Sequence, residues 1–103
     1  MLLSVDGATT TAPTPVLVGR SNNSPLAKAL ARYEFISRQH LVLERRGEVV
    51  TVVDVSKLGT AWGDGRRLAP SERHEASLPL LLRLAHECTL YVEAHEHPAE
   101  GTA

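Results

Sequence analysis

From Val16 onward the chain alternates short apolar runs with polar, glycine-marked breaks, at the roughly 8–12-residue spacing of short strands joined by turns. Val16, Leu17 and Val18 form one such run, so residues 15–19 read as a strand ending at Arg20. Residues 40–45 and 48–55 flank Arg46-Gly47, a two-residue glycine turn and hence a hairpin signature. Val49-Val50-Thr51-Val52-Val53 is nearly continuous in β-branched residues, the composition of a central strand covered on both faces. Gly63-Asp64-Gly65 marks a second tight hairpin between 60–62 and 66–68, after which the polar stretch 69–76 reads as a loop. Residues 78–85 and 88–94 form a last strand pair around His86-Glu87, with Cys88, Leu90, Val92 and Ala94 alternating onto one face.

The period changes once. Ser24 suits an N-cap and Pro25 the first helical position, and Leu26, Ala29, Leu30 and Tyr33 then share one face at helical spacing. A helix of roughly two turns is unstable alone and must pack on the sheet. One short inserted helix is therefore expected near 24–33. Upstream, residues 2–5 read as a short edge strand, and 8–15, polar and broken by Pro13 and Pro15, as a loop. Many short strands with frequent turns predict an all-β sandwich, its core mainly aliphatic because only 4% of the residues are aromatic.

Composition narrows the function. At 103 residues the chain fits a single domain, expected over 1–94, with a flexible C-terminal tail over 95–103. A formal net charge of −1 argues against a nucleic-acid partner, but a few local cations can hold a single strong anion at any net charge. The lone cysteine, Cys88, excludes an internal disulfide, and its place on the alternating face predicts a buried small hydrophobe. No apolar run reaches membrane-spanning length, and Ser4 and Asp6 interrupt any signal-peptide core. The expected location is cytoplasmic, or nuclear in a eukaryote, without membrane association.

The candidate chemistry sits at three strand-to-loop junctions, where a β scaffold displays its binding groups. Gly19-Arg20, Ser37-Arg38-Gln39-His40 and, after one hairpin, Asp54-Val55-Ser56-Lys57-Leu58-Gly59-Thr60 bring forward an arginine, a serine and a lysine. A planar cationic fork, a hydroxyl and a point charge are what a phosphate group requires. Asp54 is suited to ordering the turn that follows it, and Gly59 to a positive φ.

In order and spacing these segments resemble the forkhead-associated (FHA) domain, a β-sandwich family that binds phosphothreonine on partner proteins. The resemblance runs from about Val16 to Leu68. It implies an FHA-like (SMAD/FHA-type) sandwich of short, mostly antiparallel strands. It also implies a phosphate pocket of Arg20, Ser37 and Lys57, with Arg38 as a further contact, and a peptide-contact loop containing Ser56 and Leu58. Gly19, His40, Asp54, Gly59 and Thr60 complete the motif as structural residues, His40 holding the loop that presents Ser37. The implied function is a non-catalytic phosphopeptide-recognition module for signalling or assembly. Its partner would be a phosphothreonine-containing protein, either a Ser/Thr kinase substrate or the kinase itself. The domain would be monomeric or part of a larger multidomain protein, with no cofactor.

One position departs from the family. Where FHA domains have Asn-Gly-Thr, with the asparagine bonding the backbone of the bound peptide, this chain has Leu58-Gly59-Thr60. Leucine offers only an apolar contact, so the alternative is phosphate-independent scaffolding. Two other chemistries fit the residues less well. Ser37, His40 and Asp54 are a poor catalytic set, because no glycine-rich nucleophile elbow surrounds the serine. His74, His86, His95 and His97 with Glu75, Glu87 and Glu96 lack the paired ligand spacing of a structural metal site.

Overall fold

The computed structural model describes residues 1–94; the expected tail, with His95 and His97, lies outside the described residues. Its elements are β1 (Leu2–Val5), β2 (Ala8–Thr11), β3 (Val16–Val18), α1 (Ala27–Leu30), β4 (Leu41–Arg46), β5 (Val49–Asp54), β6 (Thr60–Trp62), β7 (Arg73–Ser77), β8 (Leu80–Leu84) and β9 (Cys88–Glu93). Two antiparallel sheets, ordered β2-β1-β9-β8-β6 and β3-β4-β5-β7, form the sandwich expected from the sequence.

The core lies between the sheets and is aliphatic. Alternating positions of each strand point into it: Leu3 and Val5, Leu41 and Leu43, Val50 and Val52, Leu82 and Leu84, Leu90 and Val92. Strand β5 corrects the expectation of two covered faces. Val50 and Val52 are fully buried, whereas Val49 is 38% exposed and Val53 half-buried. Each sheet of a two-layer sandwich has one interior side, so the continuous run of valines does not mark a doubly covered strand.

Two polar segments read as loops are strands. Residues Ala8–Thr11 pair with β1, which therefore lies between β2 and β9 and is not an edge. The signal was local: Asp6-Gly7 turns with φ of 51° and 84°, the left-handed pair that a tight hairpin turn demands. Arg73–Ser77 pairs with β5 as β7. Only His74 and Ala76 on this edge are half-buried, so its alternation is too weak to stand out from a polar loop, and its charges guard an open sheet edge. Across the sandwich, Trp62 on edge strand β6 meets His74 on edge strand β7 edge-to-face, with centroids 6.0 Å apart at 88°.

The inserted helix is shorter than its pattern, spanning Ala27–Leu30, with Leu26 and Leu30 buried against the core. Ser24 does not cap it. Its hydroxyl instead accepts the amide of Gly19 at 3.1 Å, a tertiary use of the residue that local propensity does not foretell. Cys88 is buried as expected. Burial first, then the charges of Asp6 and Glu87, push its thiol up to about 11, which keeps it in the unreactive protonated form.

Candidate functional site

Three loops meet at one end of the sandwich: 19–24 after β3, 37–40 before β4, and 55–59 between β5 and β6. The first two run side by side. The amide of Arg20 donates to the Ser37 carbonyl and that of Ser21 to the Arg38 carbonyl, both at 3.1 Å. Glycine at 19 allows this approach, since a β-carbon there would lie 2.0 Å from the Arg38 carbonyl oxygen.

Arg20 is fixed at its base. Its Nε donates to the Ile36 carbonyl, and its terminal nitrogens make no hydrogen bond among the described residues. With Ser21, Asn22, Asn23 and Arg38 it lines an open cleft of about 490 Å³ that contains two guanidinium groups and no carboxylate. A larger cleft of about 630 Å³, lined by Met1, residues 11–14, Arg45 and Gly47, gathers none of the expected site residues.

Ser37 is held from two sides. Its amide donates to His40 Nδ1 at 3.1 Å, and its hydroxyl oxygen accepts the Lys57 amide at 3.0 Å. An oxygen that accepts an amide still has its own proton to donate, and that proton is what an anion would use. His40 is fully buried, and its Nε2 donates to the Gly59 carbonyl at 3.0 Å. These two partners define the neutral tautomer with the proton on Nε2. Burial lowers the pKa of the ring, opposed by the Gly59 carbonyl and the Asp54 charge. The same Gly59 carbonyl accepts the Ala85 amide at 3.0 Å. Both imidazole nitrogens thus serve the backbone, and the Ser37 hydroxyl bonds Lys57, so serine and histidine do not form a nucleophile–base pair.

The third loop is organised by a buried carboxylate. Asp54 Oδ1 accepts the Ser56 amide at 3.2 Å, the Ser56 hydroxyl at 2.6 Å and the Thr60 hydroxyl at 2.9 Å. Ser56 Oγ in turn accepts the Gly59 amide at 2.8 Å, and Gly59 has φ of 99°. Ser56 therefore acts on this loop from within, its hydroxyl engaged in the turn. Lys57 and Leu58 remain outside, Leu58 at 46% exposure.

The fold brings Arg20 and Arg38 into one cleft and ties Ser37 to Lys57, at the same end of the molecule. Ser37 and Lys57 do not themselves line the cleft. Three contributors escaped the sequence reading. Asn22 and Asn23 belong to a polar run directly after Gly19-Arg20, which was a usable signal. Arg67, whose NH2 group donates to the Leu58 carbonyl at 3.0 Å, lies in the next hairpin, and nothing in its local pattern announces the contact. Among the described residues no group of histidine, cysteine, aspartate and glutamate is placed to hold a metal ion; His95-Glu96-His97 lies outside them. No helix among the described residues is long and apolar enough to cross a membrane.

The architecture is thus an all-β sandwich that carries an arginine, a serine and a lysine on three adjoining loops at one end. Residues 16–78 match the FHA domain family, and the chain belongs to it. No curated protein matches the sequence. Among solved structures, an FHA domain from a structural and functional analysis of phosphothreonine-dependent FHA domain interactions aligns with a TM-score of 0.68 at 23% identity, covering 93% of this chain and 97% of that one. The MEK1 FHA domain in complex with a HOP1 phosphothreonine peptide aligns with a TM-score of 0.72 at 20% identity, covering 92% and 96%. The FhaA FHA domain complexed with the intracellular domain of Rv3910 aligns at 0.64 and 20% identity, covering 87% and 96%. At these identities the likeness is one of fold.

Proposed function

We propose that this domain binds phosphothreonine on a partner protein, without catalysis, through Arg20, Ser37, Arg38 and Lys57. The observation that carries the reading is the Ser37 hydroxyl, whose oxygen takes the Lys57 amide at 3.0 Å and whose proton stays available beside the Arg20–Arg38 cleft. Arginine supplies a bidentate fork, the hydroxyl a further donor, and lysine charge. Each charge-assisted hydrogen bond contributes about 1.5–3 kcal/mol net. Three of them support an affinity on the order of micromolar once association entropy is subtracted. Two of the similar structures are complexes with a phosphothreonine peptide or a partner domain, which supports a protein ligand for this chain. A Ser/Thr kinase substrate, or the kinase itself, fits that chemistry.

The exposure of Leu58, with Val55 at 45% on the same loop and Phe35 at 54% on a neighbouring one, favours an apolar grip on the peptide around the phosphate. It also supports the second reading, phosphate-independent scaffolding. A phosphothreonine peptide library, each member paired with its unphosphorylated twin, separates the two. Selective binding of phosphorylated members, abolished by Arg20→Ala, is the expected result. Equal binding of both twins would replace this reading with scaffolding.

A further inference from the structure

At the end of the sandwich away from the three loops, the connection from β7 to β8 crosses between the sheets beside the β4–β5 turn. A groove of about 230 Å³ opens there, lined by Glu48, Leu78, Pro79, Tyr91, Glu93 and Ala94. The six residues of β5, at about 3.3 Å each, set it roughly 20 Å from the candidate phosphate site. The amide of Leu78 donates to the Glu48 carbonyl at 2.9 Å, which ties the β4–β5 turn to the groove wall. Leu90 and Val92 are buried in the core, so alternation along β9 turns Tyr91 and Glu93 outward. Leu81, opposite Tyr91 in the register and 45% exposed, continues the apolar surface beyond the groove.

The floor is apolar and the rim acidic. Among the described residues neither the Glu48 nor the Glu93 carboxylate accepts a hydrogen bond or enters an ion pair. The ion pairs there join Arg32 to Asp6, Arg66 to Asp64 and Arg73 to Glu44. Arg45 directs its guanidinium to the backbone, Nε donating to the Gly47 carbonyl at 2.6 Å and NH1 to the Ala94 carbonyl at 3.0 Å.

We infer that this groove docks an arginine side chain of a partner protein. Charge complementarity selects the occupant. A guanidinium plane stacks on the Tyr91 ring, its fork bonds a carboxylate in parallel, and its aliphatic stem covers Leu78 and Pro79. Lysine brings the charge without the plane or the fork. The volume is below the roughly 300–1,000 Å³ of small-molecule pockets and suits one long side chain. The chain's own continuation does not match: residues 95–103 contain two glutamates and neither lysine nor arginine. The contact stands apart from the phosphothreonine reading, and a partner that reaches both ends gains avidity.

The test is an NMR titration of the whole domain with a blocked glycine peptide carrying one arginine, and with its lysine and citrulline twins, citrulline being the neutral counterpart of arginine. The rim is solvated, so the arginine peptide is expected to bind only about three- to tenfold more tightly than the citrulline twin, with lysine between them and the difference shrinking at high salt. Amide shifts should centre on Glu48, Leu78 and Tyr91. Glu48→Gln and Glu93→Gln are each expected to reduce the preference, and the double variant to erase it with the melting temperature unchanged. Equal binding of the arginine and citrulline peptides, shifts centred elsewhere, or a preference that persists in the double variant would overturn the inference. Self-association that the double variant abolishes would overturn it in favour of a second copy of this chain. Failure of phosphopeptides to bind would leave it standing.

Discussion

Gly19 and Arg38 are packed backbone to backbone, with room for a hydrogen on the Gly19 α-carbon and for nothing larger on the side facing the Arg38 carbonyl. The requirement is one of space, and alanine does not meet it. Gly19→Ala has to spread the 19–24 and 37–40 loops, straining the bonds from Arg20 and Ser21 to the Ser37 and Arg38 carbonyls. Overpacking of this kind costs about 1–3 kcal/mol. A melting temperature lower by several degrees and at least tenfold weaker phosphopeptide binding are expected, read by thermal denaturation and anisotropy. A variant that melts and binds like wild type would disprove the contact.

His40 should leave a pH signature on stability. Burial lowers its pKa in the folded state below the ordinary 6.5. As pH falls through about 6.5, the unfolded chain takes up a proton that the folded chain refuses. The contribution is complete above that pH and declines as acidity increases toward the folded-state value. The decline is at most about 1.4 kcal/mol per pH unit for one group. Asp6 and Asp64, held below the usual 3.8 by Tyr33 and by Arg66 respectively, act at lower pH and do not overlap this window. Urea unfolding from pH 7.5 to 5.5 should therefore show a shallower slope in His40→Asn than in wild type. Identical slopes would mean that the ring titrates alike in both states.

Leu58→Asn should strengthen phosphopeptide binding. Leu58 is exposed and its carbonyl is already occupied by Arg67, so the substitution disturbs no packed contact. An asparagine amide adds one or two neutral bonds of about 0.5–1.5 kcal/mol each to a peptide backbone. Titration of the best phosphopeptide should give several-fold tighter binding. Unchanged or weaker affinity would assign the leucine its own apolar contact with the ligand.

The central hairpins were legible because glycine turns and β-branched runs are local signals, and residues 40–62 carry both. The polar edge strands were not. Thr9 to Thr11 and Arg73 to Ser77 bury too little to impose alternation, and only pairing with β1 and β5 makes strands of them. The residues of the candidate site could be named from type and order. Their division of labour could not, because it depends on which way a hydroxyl turns inside a loop. Ser24 looks like a helix cap until the Gly19 amide recruits it. Ser56 looks like a contact residue until Asp54 and Gly59 engage it.

The Gly59 carbonyl, shared by the His40 ring and the Ala85 amide, has a consequence for transplanting this domain. Ala85 lies beyond residue 78, where the family match stops. A chain shortened to the matched segment would keep Arg20, Ser37, Lys57 and His40. It would lose the amide that clamps the far side of the third loop, and with β1, β2, β8 and β9 every strand of the five-stranded sheet except β6. Any graft of this recognition end onto another scaffold must carry the last hairpin with it.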